Sequence, residues 1–326
     1  MEYTTLGRTG LRVSVAGLGC GGFSRLGLST GGTEANAIAI IHAALDQGVN
    51  LLDTAAPYGT EGVVGKALKG VPRDKVVIAT KASVLRGGER YTAERVVASL
   101  DNSLREIGVD CIDVFQLHAV PPSGYEYVRD TIVPVLLKEK ARGKFRFLGI
   151  TETAPNDLEH KMLLQAVPDG MWDVVMVAFH MMNQNTREAL FPATLKHHVG
   201  TLLMFAVRSI FARADRVATT MQELAASGQV PQSLADEPDP LGFLIHPGGA
   251  LSLTDAAYRY VRHEPGVDVV LFGTGDQAHL QSNIESILRP PLPEADTNKL
   301  KELFSHLRGV GLIAPPQATA NKGATP

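Results

Sequence analysis

The stretch NLLDTAAPYGTEGVVGKAL, Asn50 to Leu68, decides the fold. A short apolar run, Leu51–Leu52, stops at Asp53. Tyr58 and Gly59 follow in a loop, and Thr60 opens the short helical run EGVVGKALK. This is one strand, one loop and one helix. The strand delivers a carboxylate and then a phenol at its exit. An Asp before a helix reads as a cap and a loop tyrosine as packing; together they also read as half of an active site.

Outward from this stretch the same unit repeats. VAGLG (15–19) is a strand, and TEANAIAIIHAALDQG a helix capped by Thr33, with Ile38, Ile41 and Leu45 on one face. KVVIATK (75–81) is a strand. TAERVVASLDNSLREIG is a helix with Thr92 as cap and Val97, Leu100, Leu104 and Ile107 on one face. Strands at 111–118, 145–151, 172–179, 200–207 and 267–274 continue the series. Helices follow at 130–142, 157–167, 186–198 and 276–288.

Eight strands, most of them continuous apolar runs, point to a parallel sheet covered on both faces. Eight βα units over this length predict a (β/α)8 TIM barrel. A doubly wound sheet is the alternative, but GLGCGGF (17–23) is only a near miss to its phosphate-binding turn. YTTLGRTGLRVS (3–14) predicts a β-hairpin that closes the barrel bottom. The segment 208–253, between strand 7 and strand 8, predicts a long loop rich in Pro and Gly. One domain is expected over 1–312, with a flexible tail over 313–326.

Composition narrows the class. The 326 residues are 44% hydrophobic and 20% charged, with net charge −3. That balance suits a soluble globular protein and gives no basic face for nucleic acid or an anionic membrane. Cys20 and Cys111 form neither a disulfide framework nor a metal-ligand spacing. His180, His197, His198 and His246 match no established ligand pattern, so no metal is expected. The N-terminal residues lack an apolar signal-peptide core, and no apolar run is long enough to span a bilayer. A cytoplasmic enzyme is expected.

The chemistry sits at strand ends. In a barrel of this type, polar residues at the C-terminal ends of strands face the active site. Asp53 and Tyr58 follow the second strand, Lys81 ends the third and His118 ends the fourth. A phenol titrates near ~10, and a neighbouring ammonium lowers that value. Lys81 can act so on Tyr58, Asp53 can hold Lys81, and His118 can donate to a substrate oxygen. Such a set protonates a carbonyl oxygen as hydride arrives at its carbon.

These pieces resemble the aldo-keto reductases: DTAAPYG, the Lys of IATK, the His of FQLH, GIT after strand five, and GTGDQAHLQSN after strand eight, in family order from about Met1 to Leu288. The resemblance implies a nicotinamide cofactor across the barrel mouth and the tetrad Asp53, Tyr58, Lys81 and His118. It places the cofactor against Gly21, Asp53, Thr151, Glu152, Met176, Phe205, Ala206, Val207, Arg208, Gly273, Thr274, Gly275, His279 and Asn283. Thr151–Glu152 stand where the family has Ser-Asn, and Met176 where it has Gln. Phe205 matches the aromatic that stacks on nicotinamide, Arg208 is a candidate pyrophosphate clamp, and Asn283 matches the adenine-binding Asn. The basic residue aimed at a 2′-phosphate is replaced by Asp276 nearby, a ribose partner or a helix cap. The family leans to NADP(H), with NAD(H) open. The implied substrate is a small carbonyl compound or alcohol, sugars and polyols included. A nucleotide-binding regulatory subunit of the same fold, as among potassium-channel β-subunits, is the alternative reading, and a metal-dependent barrel hydrolase a third.

Overall fold

Eight of the short apolar runs pair in parallel and close on themselves. The computed structural model describes residues 1–312, so the expected tail at 313–326 lies outside the described residues. The barrel strands are β3 (Ala16–Gly19), β4 (Leu51–Asp53), β5 (Val77–Ser83), β8 (Ile112–Val120), β9 (Phe145–Glu152), β10 (Val174–Ala178), β11 (Gly200–Met204) and β12 (Val269–Phe272). They follow one another around the barrel in chain order, and β12 pairs with β3 to close it. Two antiparallel pairs stand outside it: β1 (Tyr3–Thr5) with β2 (Arg12–Ser14), and β6 (Leu85–Arg86) with β7 (Glu89–Arg90).

The hairpin β1–β2 plugs one end. Leu6, Leu11 and Val13 pack among the inward side chains Leu51, Val77, Val114, Val174, Leu202 and Val269. Its turn sits hard against β11: a Cβ on Gly7, whose φ is +47°, would lie 2.2 Å from the backbone nitrogen of Gly200. Arg8 donates to the carbonyls of Gly170 and Trp172. The barrel interior is therefore a packed apolar core open to function only at the other end.

The helices form where caps and apolar spacing agree, with several differences from the sequence-based expectation. Thr33 caps Glu34–Asp46, but the buried stripe is Ala37, Ile40, Ile41 and Ala44. It is rotated from the expected Ile38–Ile41–Leu45 face, because small alanines let the helix approach the barrel closely. Thr92 caps Ala93–Ile107, and Gly108 ends it in the left-handed region. Thr60 does not cap the next helix; its hydroxyl bonds Thr54 at 2.8 Å instead. The helix expected over 186–198 is broken into Thr186–Ala189 and Phe191–His197. Pro192 lies in the first turn of the second piece, where its missing N–H is harmless. The helix after β9 starts late, at Lys161, where the Asp157 carboxylate accepts from the Lys161 and Met162 amides.

The expected long loop at 208–253 is the main correction. It contains the helices Arg208–Ala212, Ala214–Ala226 and Gln232–Ala235. Val217, Met221 and Leu224 are buried at helical spacing, a signal masked by the Pro and Gly that follow. Two further helices, Leu253–Arg262 and Glu294–Phe304, pack on the outside. None of the described helices is long and apolar enough to cross a membrane.

Candidate active site

Each tetrad residue leaves the end of a neighbouring strand at the open mouth. Asp53 is the last residue of β4, and Lys81 lies on β5. Tyr58 ends a single 3-10 turn, Ala56–Tyr58, closed by Gly59 at φ +69°. His118 sits where β8 and β9 slip out of register between Leu117 and Val120. Ala119 there has φ +54°. Such a bulge re-aims a side chain, and it turns the His118 ring towards Tyr58.

The structure brings all four together. Lys81 Nζ donates to Asp53 Oδ2 at 2.7 Å and to the Thr54 carbonyl at 2.8 Å. The same nitrogen lies 5.1 Å from the centre of the Tyr58 ring. Tyr58 Oη is 3.4 Å from His118 Nε2, and the two rings meet edge to face with centroids 5.5 Å apart. On the other side Gly21 is pressed to the phenol: a Cβ there would lie 2.3 Å from Tyr58 Cε2. Tyr58 and His118 are partly exposed at the mouth, whereas Lys81 has no exposed surface.

Burial dominates the electrostatics. It pushes the Asp53 carboxyl up against the opposing pull of Lys81. Burial presses Lys81 the other way, but Asp53 and Tyr58 hold its ammonium above the ordinary lysine range. Burial also raises the Tyr58 phenol, and Lys81 only partly offsets this. That reverses the net direction expected from the ammonium alone. Burial and then Lys81 push His118 down to about 3, so its ring is neutral near pH 7.

The other expected residues divide into two groups. Thr151 is buried at the end of β9, and its hydroxyl accepts the Ala119 N–H at 2.7 Å, using one of its lone pairs. Phe205, at φ +73°, follows β11, and buried Ala206 and partly exposed Val207 continue the turn. Gly273, Thr274 and Gly275 lead into the helix Gln277–Leu288, with His279 exposed in its first turn and Asn283 nearly buried in its second. Gly273 and Gly275 lie close to β3 and its loop: their Cβ atoms would meet Gly19 O at 3.2 Å and Gly27 Cα at 2.3 Å. These backbone N–H groups and the helix start suit a phosphate.

Four residues are engaged elsewhere or lack the expected donor. Glu152 turns away from the mouth: its oxygens accept from the Ala178 N–H at 2.8 Å and His160 Nδ1 at 2.7 Å. Thr186 continues this network by donating to the Ala178 carbonyl at 2.8 Å and touching His160 Nε2 at 3.0 Å. Arg208 stacks on Phe205 and donates to the carbonyls of Gly311 and Leu312 at 2.9 and 2.8 Å. Met176 is buried in the interior core and offers no amide. Asp276 caps its helix by accepting the His279 N–H at 2.9 Å, which lowers its carboxyl. The donor set thus fits a nicotinamide nucleotide at Thr151, Phe205 and the 273–275 turn, but not at Glu152.

Sequence reading missed Gln116 and Thr54, which both touch the Asp53–Lys81 pair. A polar residue inside the apolar run IDVFQLH was the available signal for Gln116. Among the described residues, no group of three or more His, Cys, Asp or Glu is placed to hold a metal ion.

A closed eight-stranded barrel with an acid, a phenol, an ammonium and an imidazole gathered at its mouth defines a class of oxidoreductase. The aldo/keto reductase family model matches residues 17–304, and the chain belongs to that family. It is 28% identical to the aldo-keto reductase YhdN of Bacillus subtilis, covering 97% of this chain and 98% of that one. It is also 35% identical over 209 residues to L-galactose dehydrogenase of Arabidopsis thaliana. That match takes in 62% of this chain and spans 64% of the plant enzyme's length. Among solved structures, aldo-keto reductase AKR11C1 from Bacillus halodurans, in its holo form, superposes with a TM-score of 0.68 at 22% identity, covering 93% and 96% of the two chains.

Proposed function

We propose that this barrel, over residues 1–312, interconverts an aldehyde or ketone and its alcohol with a nicotinamide nucleotide. Tyr58 is the general acid/base in this reading. The observation that carries it is the Tyr58 hydroxyl 3.4 Å from His118 Nε2, with Lys81 held beneath the phenol by Asp53.

The bound nucleotide supplies or accepts the hydride. The residues supply the proton and the charge. Neutral His118 donates a hydrogen bond to the substrate oxygen and fixes it beside the phenol. Tyr58 gives its proton to that oxygen during reduction and takes it back during oxidation. Lys81 stabilises the phenolate that remains, and Asp53 keeps the ammonium in place. Burial makes Tyr58 a weaker acid, so the nearby ammonium is the feature that makes the donation feasible.

On the nucleotide, the charged Asp276 and the lack of Lys or Arg from 273 to 283 favour a free 2′-hydroxyl. We therefore favour NAD(H) over the family's lean towards NADP(H). The plant relative named for a sugar dehydrogenation makes aldoses the first substrates to try.

The test is Tyr58→Phe, assayed with aldoses and simple carbonyls, beside fluorescence titrations of NADH and NADPH. Turnover should vanish while nucleotide binding stays within about twofold, since the ring is kept and only the hydroxyl is lost. Unchanged turnover in this variant sinks the reading.

A further inference from the structure

We infer that Gln116 is a positioning residue of the proton-transfer site, holding the Asp53 carboxylate that in turn fixes Lys81. This rests on the proposed role of the tetrad.

The barrel register sets Gln116 beside Lys81 on one side and Gly149 on the other. Its side chain is wholly buried. Nε2 lies 3.4 Å from Asp53 Oδ1, the carboxylate oxygen that Lys81 leaves free. Turned the other way, the amide would set its carbonyl against a carboxylate, so the N–H side faces Asp53. The opposite atom, Oε1, is buried and has no hydrogen-bond partner among the described residues.

A buried acceptor without a partner is unfavourable. Leucine would fill nearly the same volume with no such atom. The interior also makes room for the longer amide: a Cβ on Gly149 would lie 2.7 Å from Gln116 Cγ. A polar residue with an unmet acceptor and a glycine that accommodates it are explained by one function. The amide donates to the ionised form of Asp53 and favours it, joining Lys81 against the burial that pushes the carboxyl up. Among the described residues, the hydrogen bond of the Gln116 side chain is to Asp53, so its effect passes through that carboxylate.

Two measurements on the full chain test this. In the first, kcat/KM is followed against pH for wild type, Gln116→Leu and Gly149→Ala, the last pushing the amide off its place. Gln116→Leu should lower kcat/KM by about tenfold and move the acid limb to higher pH, with Gly149→Ala moving it the same way. A purely structural residue would lower the melting temperature and leave the limb unmoved, and that result overturns the inference. The second measurement needs no turnover: urea midpoints of Gln116→Leu, Asp53→Asn and the double variant. Non-additive shifts support the contact, and additive shifts overturn it. If wild type itself turns over no carbonyl compound, the tetrad's proposed role fails, and the unfolding cycle still decides whether Gln116 holds Asp53.

Discussion

Lys81 and Asp53 are bonded at 2.7 Å in a place where the lysine has no exposed surface. Taking both charges out of water is costly, and their attraction only partly returns that cost. Removing one partner is worse, because the other is left charged and alone. Lys81→Met should therefore destabilise the fold by about 3–5 kcal/mol and end turnover. Adding Asp53→Asn should restore much of the stability and none of the activity. Urea unfolding of the two variants and wild type checks both halves.

His118 gives a pH prediction with a definite sign. Its folded-state value is pushed down to about 3, below the ~6.5 of an unfolded histidine. Between these values the unfolded chain binds more protons, so stability is full above ~6.5 and is lost as pH falls towards the folded value. His118→Phe should flatten that loss. Urea midpoints from pH 7 down to 4 should fall less steeply in the variant than in wild type.

Gly21 tests how closely the phenol is held. An alanine methyl would overlap the Tyr58 ring at 2.3 Å, so the ring must move. Gly21→Ala should keep the fold but lower kcat/KM by about 10- to 100-fold, the scale expected of a displacement near 1 Å. A melting temperature close to wild type, beside an intact rate, would show that the ring has room to give.

Glu152 is predicted to act on stability rather than nucleotide affinity. Burial works against the His160 imidazolium, but its bond to Glu152 raises its value on balance. For a histidine raised in this way, the stabilisation is full below ~6.5 and fades as pH climbs through the folded value. The stability gap between wild type and Glu152→Gln should therefore be widest below pH ~6.5 and narrow as pH rises above it. NADH titration of the variant should match wild type, because the carboxylate faces Ala178 and His160.

The barrel was legible in the sequence because its strands are buried on both faces and therefore read as unbroken apolar runs. Asp53, Lys81 and His118 stood out for the same reason: each is a charged or polar residue at the end of such a run. Other features were hidden. The register slip at His118–Ala119 depends on pairing between β8 and β9, which no local pattern records. Glu152 sits one residue beyond Thr151, and strand alternation sends it to the opposite face. Arg208 read as a candidate pyrophosphate clamp, yet it is engaged by carbonyls more than a hundred residues away. The helix Ala214–Ala226 carried its own apolar spacing, but the Pro-Gly composition downstream obscured it.

The hairpin at the barrel's far end has a kinetic consequence. Leu6, Leu11 and Val13 close the floor with buried apolar side chains. The interior is thus a vessel with one neck. A proton that Asp53 or Lys81 exchanges with solvent is then expected to pass the partly exposed Tyr58 and His118. The residues proposed to serve the substrate also stand sentry over the protonation state of the pair beneath them, and a substrate seated at the neck would lock that state until it departs.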